Sequence, residues 1–211
     1  MNKLSVFLTA LLVICLQVNA LLADVRKAAE RYKNAKTLVT GVTQTRHHVA
    51  LTKDAVAKGH FYYQSPNSES MVFEDAKEML IATANTFTMV KDGRQRVAKA
   101  QGKGNNPFET LRDVFTSLIT TDNATLTDAA DVTFAKQGNL CTMTVTPKTA
   151  DAKAKRRMMF TSCVATLNLK TAELTRLVIH EQNGNYTQYD FSNYVFNGKV
   201  AEGAFDPKTV L

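Results

Sequence analysis

The sequence lacks the short motifs that mark common catalytic sites. It has no Gly-x-Ser-x-Gly nucleophile elbow and no glycine-rich phosphate loop. The histidines are His47, His48, His60 and His180, and no cluster of carboxylates accompanies them. Adjacent histidines on a strand point to opposite faces, so they cannot readily share one metal ion. We therefore expect no catalytic residue, no metal site and no cofactor, and a protein that is not an enzyme.

Only one long apolar run is present, and it lies at the N-terminus. Lys3 precedes the apolar stretch from Leu4 to Leu16, and small residues stand at the positions that a signal peptidase reads before Ala20. This pattern predicts a signal peptide over residues 1–20 that is cleaved after Ala20. No later run is long enough to span a bilayer. We expect one exported domain over residues 21–211.

Acidic residues are fewer than basic ones, 19 against 26, which gives a formal net charge of +7. Loss of Lys3 with the signal peptide would leave +6. This excess of positive charge is consistent either with a solvated surface or with attraction to anionic surfaces such as lipid headgroups. Nucleic acid is a poor fit, because the basic run at 153–157 has no aromatic neighbour that could stack on a base.

Cysteine is also scarce, and the mature chain would keep only Cys141 and Cys163. A hairpin centred near Ala152 would place these two residues opposite each other, close enough for a bridge. An exported chain enters an oxidising compartment, where such a pair can persist as a disulfide. We predict a Cys141–Cys163 disulfide, with two buried free thiols as the alternative.

The sequence does carry an abundant strand pattern. Helical spacing is confined to residues 23–36 and to residues 106–119, where Asn106 can cap the helix and Pro107 suits its first turn. The remaining segments are rich in Val, Thr and aromatic residues and are separated by turn residues. The predicted strands are 38–51, 55–64, a short one at 71–73, 79–83, 86–90, 94–99, 139–146, 158–169, 173–181 and 186–195. This pattern predicts a mainly β, α+β fold with a curved antiparallel sheet or open barrel.

A single curved sheet needs something to cover its apolar face, and two helices can do so only in part. The uncovered remainder leaves room for a cavity. The methionines of the mature chain all fall in predicted strands or at their ends, and their flexible side chains suit variable apolar partners. For any single methionine, ordinary core packing is the better explanation. The pattern as a whole favours shelter for a lipid-like cargo.

Several segments, in their order and spacing, form a series that matches a known family. They are Val42-Thr43-Gln44-Thr45, Gly59 to Asn67, Asn105-Asn106-Pro107-Phe108, Val145-Thr146-Pro147-Lys148, Tyr189 to Asn193 and Phe205-Asp206-Pro207. In this series the chain resembles the LolA-type periplasmic lipoprotein carriers of Gram-negative envelopes. The resemblance implies an unclosed β-barrel with a helical lid, whose apolar cavity binds the acyl chains of lipoproteins or similar lipids in the periplasm. It also implies a monomer, an inner-membrane donor and an outer-membrane acceptor.

The resemblance further implies which residues meet the cargo. The helix at 106–119 would form part of the lid, and its cargo-facing or core residues would be Phe108, Leu111, Phe115 and Leu118. The sheet wall would be lined by the pairs Met71 and Phe73, Met79 and Ile81, and Phe87 and Met89. A lipid-binding or envelope-sensing domain of the same fold, without a transport role, is the alternative.

The sequence departs from the family pattern at two places. The family's enterobacterial members have an arginine before the Pro-Asn turn that ties the lid closed, and here that position is Ser65. A serine cannot reach or donate hydrogen bonds as an arginine does. The family often has tryptophans in the wall, whereas this chain has none and carries Met71 at one such place.

Overall fold

The computed structural model describes residues 23–28, 30–32, 34–66, 68–83, 86–99, 130–148 and 160–211. The predicted signal peptide, the basic run at 153–157 and the predicted lid helix lie outside these residues. The lid residues Phe108, Leu111, Phe115 and Leu118 therefore remain sequence predictions. Near the N-terminus, residues 23–28 and 30–32 are helical and form α1.

The rest of the described chain is mostly strand. Val, Thr, Phe, Tyr and Ile fill these segments, and such residues suit a pleated surface that is buried on at least one side. The strands are β1 Thr37–His47, β2 Ala55–Gln64, β3 Ser68–Phe73, β4 Glu78–Ala82, β5 Thr86–Lys91, β6 Arg94–Lys99, β7 Ala130–Gln137, β8 Leu140–Pro147, β9 Ser162–Asn168, β10 Glu173–His180 and β11 Tyr186–Phe196. Short 3₁₀ turns lie at Gln182–Gly184 and Pro207–Thr209.

All eleven strands belong to one antiparallel sheet in the order β6-β5-β4-β3-β2-β1-β11-β10-β9-β8-β7. Two meanders, β1 to β6 and β7 to β11, meet where β1 pairs with β11. The sheet does not close, since β6 and β7 are its two outer strands. The predicted fold class is confirmed. Strand β7 was missed by the sequence analysis.

The two faces of the sheet are covered by different parts of the chain. On one face, Val25 and Ala28 of α1 pack into the larger buried cluster with the inward side chains of β8, β9 and β10. We call this the helix face. On the other face, Val210 and Phe205 of the C-terminal segment pack on β3, β4 and β5. We call this the tail face.

The cysteines do not occupy the positions that the sequence analysis predicted. Cys163 of β9 lies opposite Val145, and Cys141 lies opposite Leu167. The pairing is thus symmetric about position 154 rather than about Ala152. The four-residue offset between Cys141 and Val145 corresponds to roughly 13 Å along a strand, far beyond the ~6 Å between Cα atoms of a disulfide. Both cysteines are buried free thiols, so the disulfide prediction is wrong in this structure.

Candidate functional site

The predicted wall of the site is divided between the two faces. Met71 and Phe73 of β3 belong to the helix-face cluster and are buried. Phe87 and Met89 share that face, because Met89 lies opposite Leu80 and Leu80 lies opposite Met71. These two pairs are brought together as the sequence analysis predicted.

Met79 and Ile81 do not lie on this wall. Both are buried on the tail face, in one cluster with Val72, Val90 and Val210. Side chains alternate along a strand, so on β4 it is Leu80 that points to the helix face, while its two neighbours point away. The structure therefore does not bring Met79 and Ile81 together with Met71, Phe73, Phe87 and Met89 on one wall.

A small open recess lies on the helix face of β2 to β5. Its volume is about 20 Å³, enough for little more than one water molecule. Its lining is largely apolar and comprises Phe61, Glu69, Ser70, Met71, Leu80, Ala82 and Phe87. Around it, Phe61, Leu80, Phe87 and Met89 are only half-buried.

The sheet bends strongly toward the helix face beside this recess. Gly59 of β2 allows the bend, since a Cβ atom there would lie 2.0 Å from the carbonyl oxygen of Val72 and 2.8 Å from the ring of Phe73. Arg46 of β1 also contacts Glu78 of β4 across two intervening strands. In a flat sheet those two strands would lie about 14 Å apart, and the register places Arg46 four residues, about 13 Å, farther along the strand direction than Glu78. The contact therefore requires a concave helix face.

An ion cluster around the nearly buried carboxylate of Glu78 closes one end of this concave face. Arg46 Nη1 donates to Glu78 Oε1 at 2.8 Å, Arg46 Nη2 donates to Glu78 Oε2, and Lys91 Nζ lies 3.5 Å from Oε1. Burial favours the neutral form of Glu78, but the hydrogen bonds and charge of Arg46, with help from Lys91, outweigh it. The pKa of the Glu78 carboxyl is lowered from its ordinary value as a result.

A buried polar pair continues the polar end of the face onto β11. Gln44 Nε2 donates to the hydroxyl of Tyr189 at 3.2 Å, and both side chains are buried. Burial raises the pKa of Tyr189, so the hydroxyl stays neutral. The sequence analysis did not select Gln44, Arg46 or Glu78. Arg46 could have been found, because it continues the alternation of Leu38 through Gln44 that points to the helix face.

Helix α1 seals the opposite half of the helix face. The backbone N–H of Leu174 donates to the Tyr32 hydroxyl at 2.9 Å, and the ring of Tyr32 packs edge-on against Phe196. Arg31 lies 3.8 Å above the same Phe196 ring. On β8 and β9 the side chains of Met143, Val145, Cys163 and Ala165 are fully buried. This half of the face is a closed core.

Ser65 lies at the sheet end away from Arg46. Gln64 pairs with Thr37 at the start of β1, whereas Arg46 lies near the end of that strand. The side chain of Ser65 is exposed, and its backbone N–H donates to the carbonyl of Lys36 at 2.8 Å. The backbone of Ser65 thus contacts Lys36, the residue that precedes β1.

Within the described ranges, no grouping of three or more His, Cys, Asp or Glu side chains could hold a metal ion. Among the same residues no helix is both long and apolar enough to cross a membrane.

The sequence matches the family model of the outer membrane lipoprotein carrier protein LolA over residues 33–208. No curated protein matches it. Among solved structures, a DUF1329 family protein from Desulfovibrio piger has 11% identity and a TM-score of 0.47, with 91% of this chain and 98% of that chain covered. A putative outer membrane lipoprotein-sorting protein domain from Vibrio parahaemolyticus has 9% identity and a TM-score of 0.45, with 90% and 97% covered. A LolA superfamily protein from Nitrosomonas europaea has 8% identity and a TM-score of 0.42, with 87% and 96% covered. At these identities and scores the structural likenesses say nothing about a ligand.

Proposed function

Because this chain belongs to the family of the outer membrane lipoprotein carrier protein LolA, whose model spans residues 33–208, we propose that it binds acyl chains of a lipoprotein or a similar lipid. The chains would lie on the helix face, and the protein would carry them through the periplasm towards the outer membrane. It would act by binding alone, without covalent chemistry.

The observation that carries this proposal is the unequal covering of the helix face. The half on β8 and β9 is fully buried, with Met143 and Ala165 at its centre. On β2 to β5, Leu80, Phe87 and Met89 remain half-buried around an open recess. Half-exposed apolar side chains on a concave wall are a site where an apolar ligand gains free energy by excluding water.

The free energy of an acyl chain explains why such a carrier is needed. Each methylene group that leaves water gains about 0.8 kcal/mol, so a bare chain does not cross an aqueous compartment unaided. The recess, at about 20 Å³, is far smaller than ordinary ligand pockets of roughly 300–1,000 Å³. Uptake therefore requires movement of the half-buried side chains or of whatever covers them. A reversible opening of this kind also permits release.

The proposal is tested by measuring the affinity of a fluorescent diacylated lipopeptide for two matched variants. Phe87→Glu places a carboxylate at the recess, whereas Val97→Glu places one on the tail face of the neighbouring strand, where Val97 is 58% exposed. We expect Phe87→Glu to weaken binding by roughly tenfold or more, because a charge must be desolvated beside the chain. Val97→Glu should bind as the unmodified protein does.

A second recess variant tests whether weaker lipopeptide binding by Phe87→Glu results from misfolding. Ala82→Trp extends an apolar ring over the open mouth of the recess and adds no charge. It should also weaken lipopeptide binding while leaving the melting temperature within a few degrees. If both recess variants bind the lipopeptide as tightly as the unmodified protein does, the binding site does not lie on the helix face. Binding without transfer of the lipopeptide to acceptor membranes would favour the alternative, a lipid-binding or envelope-sensing domain without a transport role.

A further inference from the structure

Two exposed arginines extend the apolar wall to the edge of the sheet. On β6, Arg96 lies directly opposite Met89, and Arg94 lies directly opposite Lys91. Directly paired residues project from the same face of a sheet, so both arginines belong to the helix face. Arg94 and Arg96 are exposed, and among the described residues neither forms an ion pair with a carboxylate. The wall of the recess thus ends in two guanidinium groups.

The surrounding charges favour an anion at this edge. Lys91 is already engaged by Glu78, and Arg46 shares the same carboxylate. Among the described residues near the edge, the carboxylates are Glu78 and Asp92, and the cations are Arg46, Lys91, Arg94 and Arg96. An anionic group bound on this face is therefore drawn to the β6 edge.

Resting on the proposed lipid-binding function, we propose that Arg94 and Arg96 select amphiphiles with an anionic, phosphate-bearing headgroup. The acyl part lies against Leu80, Phe87 and Met89, and the phosphate oxygens accept hydrogen bonds from the guanidinium groups. Two residues apart on one face, the arginine Cα atoms are about 7 Å from each other, and arginine donates in the fork geometry that phosphate accepts.

Exposed charges on an outer strand also have a structural use, because they discourage pairing with the edge of another sheet. Preventing such edge pairing requires only charge on the strand and does not depend on which lipid headgroup is present. The selective role requires a preference between lipids that share the same acyl chains. The two roles are therefore separable by measuring which lipid is retained.

The test compares short-chain phosphatidylglycerol and phosphatidylcholine with identical acyl chains, each below its micelle concentration. Native mass spectrometry of the full folded chain reports the ratio of the two lipids retained from an equimolar mixture. We expect a preference for phosphatidylglycerol that falls about fivefold for each arginine removed in Arg94→Gln and Arg96→Gln. The control pair Lys53→Gln and Lys58→Gln removes two exposed charges away from the recess, and it should keep the preference.

Each other outcome overturns the inference in a distinguishable way. Equal retention of both lipids by the unmodified protein refutes headgroup selection but leaves lipid binding intact. If the preference is lost both when Arg94 and Arg96 are replaced together and when Lys53 and Lys58 are replaced together, the preference arises from net charge and not from the two arginines. An unchanged preference in the Arg94 and Arg96 variants, with weaker sedimentation on phosphatidylglycerol vesicles, makes the edge a membrane contact. Failure to retain either lipid or the lipopeptide refutes the proposed function itself.

Discussion

Replacing Glu78 by Gln should destabilise the fold in a way that depends on pH. The Glu78 carboxylate is nearly buried and accepts hydrogen bonds from both Nη atoms of Arg46, one of them at 2.8 Å, with Lys91 Nζ at 3.5 Å. Glutamine keeps the size of the side chain but removes its charge. Arg46 then remains half-buried beside a neutral amide, and Lys91 loses its only carboxylate partner among the described residues.

The expected loss of stability follows from how exposed the partners are. Removing one member of a fully buried ion pair costs about 3–5 kcal/mol, whereas an exposed pair contributes about 0–1 kcal/mol. Here the side chains of Glu78 and Arg46 are 11% and 33% exposed, so water screens part of the interaction. We expect a loss of roughly 1–3 kcal/mol in the free energy of unfolding. For a chain of this size each kcal/mol corresponds to about 2–4 °C in melting temperature.

The pH dependence has a definite sign. The pKa of Glu78 is lowered in the folded state from its ordinary value of 4.5. Although burial raises it, the hydrogen bonds and charge of Arg46, together with Lys91, have the larger combined effect. A carboxyl with a lowered pKa stabilises the fold above its ordinary value, and this contribution is lost as the pH falls through the folded value. The difference in stability between the unmodified protein and Glu78→Gln should be full near pH 7 and shrink below about pH 4.5.

Thermal unfolding followed by circular dichroism between pH 3 and pH 8 measures both effects. Asp75→Asn is the matched control, since it removes a carboxylate from the exposed turn that precedes β4. We expect that control to change the melting temperature by about a degree or less. The reasoning is refuted if Glu78→Gln is no less stable than Asp75→Asn, or if its deficit is constant across the pH range.

Two further predictions concern the bend and the thiols. Gly59→Ala should cost about 3 kcal/mol, because the new Cβ would lie 2.0 Å from the Val72 carbonyl oxygen and the backbone must shift. Gly138→Ala, where nothing lies within 4 Å, should cost only about 1 kcal/mol in urea unfolding, and equal losses would contradict the bend. Burial raises the pKa of Cys163 to about 12, so iodoacetamide at pH 8 should not label it in the folded protein. Without any reductant, denaturant should make both Cys163 and Cys141 reactive, and resistance to labelling under those conditions would indicate a disulfide.

The positions of most strands could be predicted because one face of most strands is buried and the other faces solvent. In β1 the buried residues Leu38, Thr40, Val42 and Gln44 alternate with less buried neighbours. Strand β2 has the predicted bounds, since turn residues flank it on both sides. Strand β7 was missed, although Val132 and Phe134 alternate with polar residues and Gly138 has the positive φ of a hairpin turn.

The pairing of β8 with β9 could not be predicted from the cysteine positions. A hairpin with a tight turn fixes its own register, but the connection from Pro147 to Ser162 is long. Its centre is then set by which side chains pack on the helix face. Cys141, Met143 and Val145 all share that face with Cys163, so the four-residue difference between the predicted and the observed register leaves every side chain on the same side.

The failure at Met79 and Ile81 has a different physical origin, and it bears on the site. Alternation reveals a face in contact with solvent, but β4 carries apolar side chains at both parities: Leu80 and Ala82 line the open recess, whereas Met79 and Ile81 lie beneath the C-terminal segment. That segment is held by a hydrogen bond from Ser70 Oγ to the Ala204 carbonyl and by the packing of Val210. The wall of the recess is therefore backed by buried side chains packed against the C-terminal segment, and close-packed interiors yield little when a ligand presses on them. We therefore expect adaptation to an acyl chain to come from the half-buried side chains on the helix face.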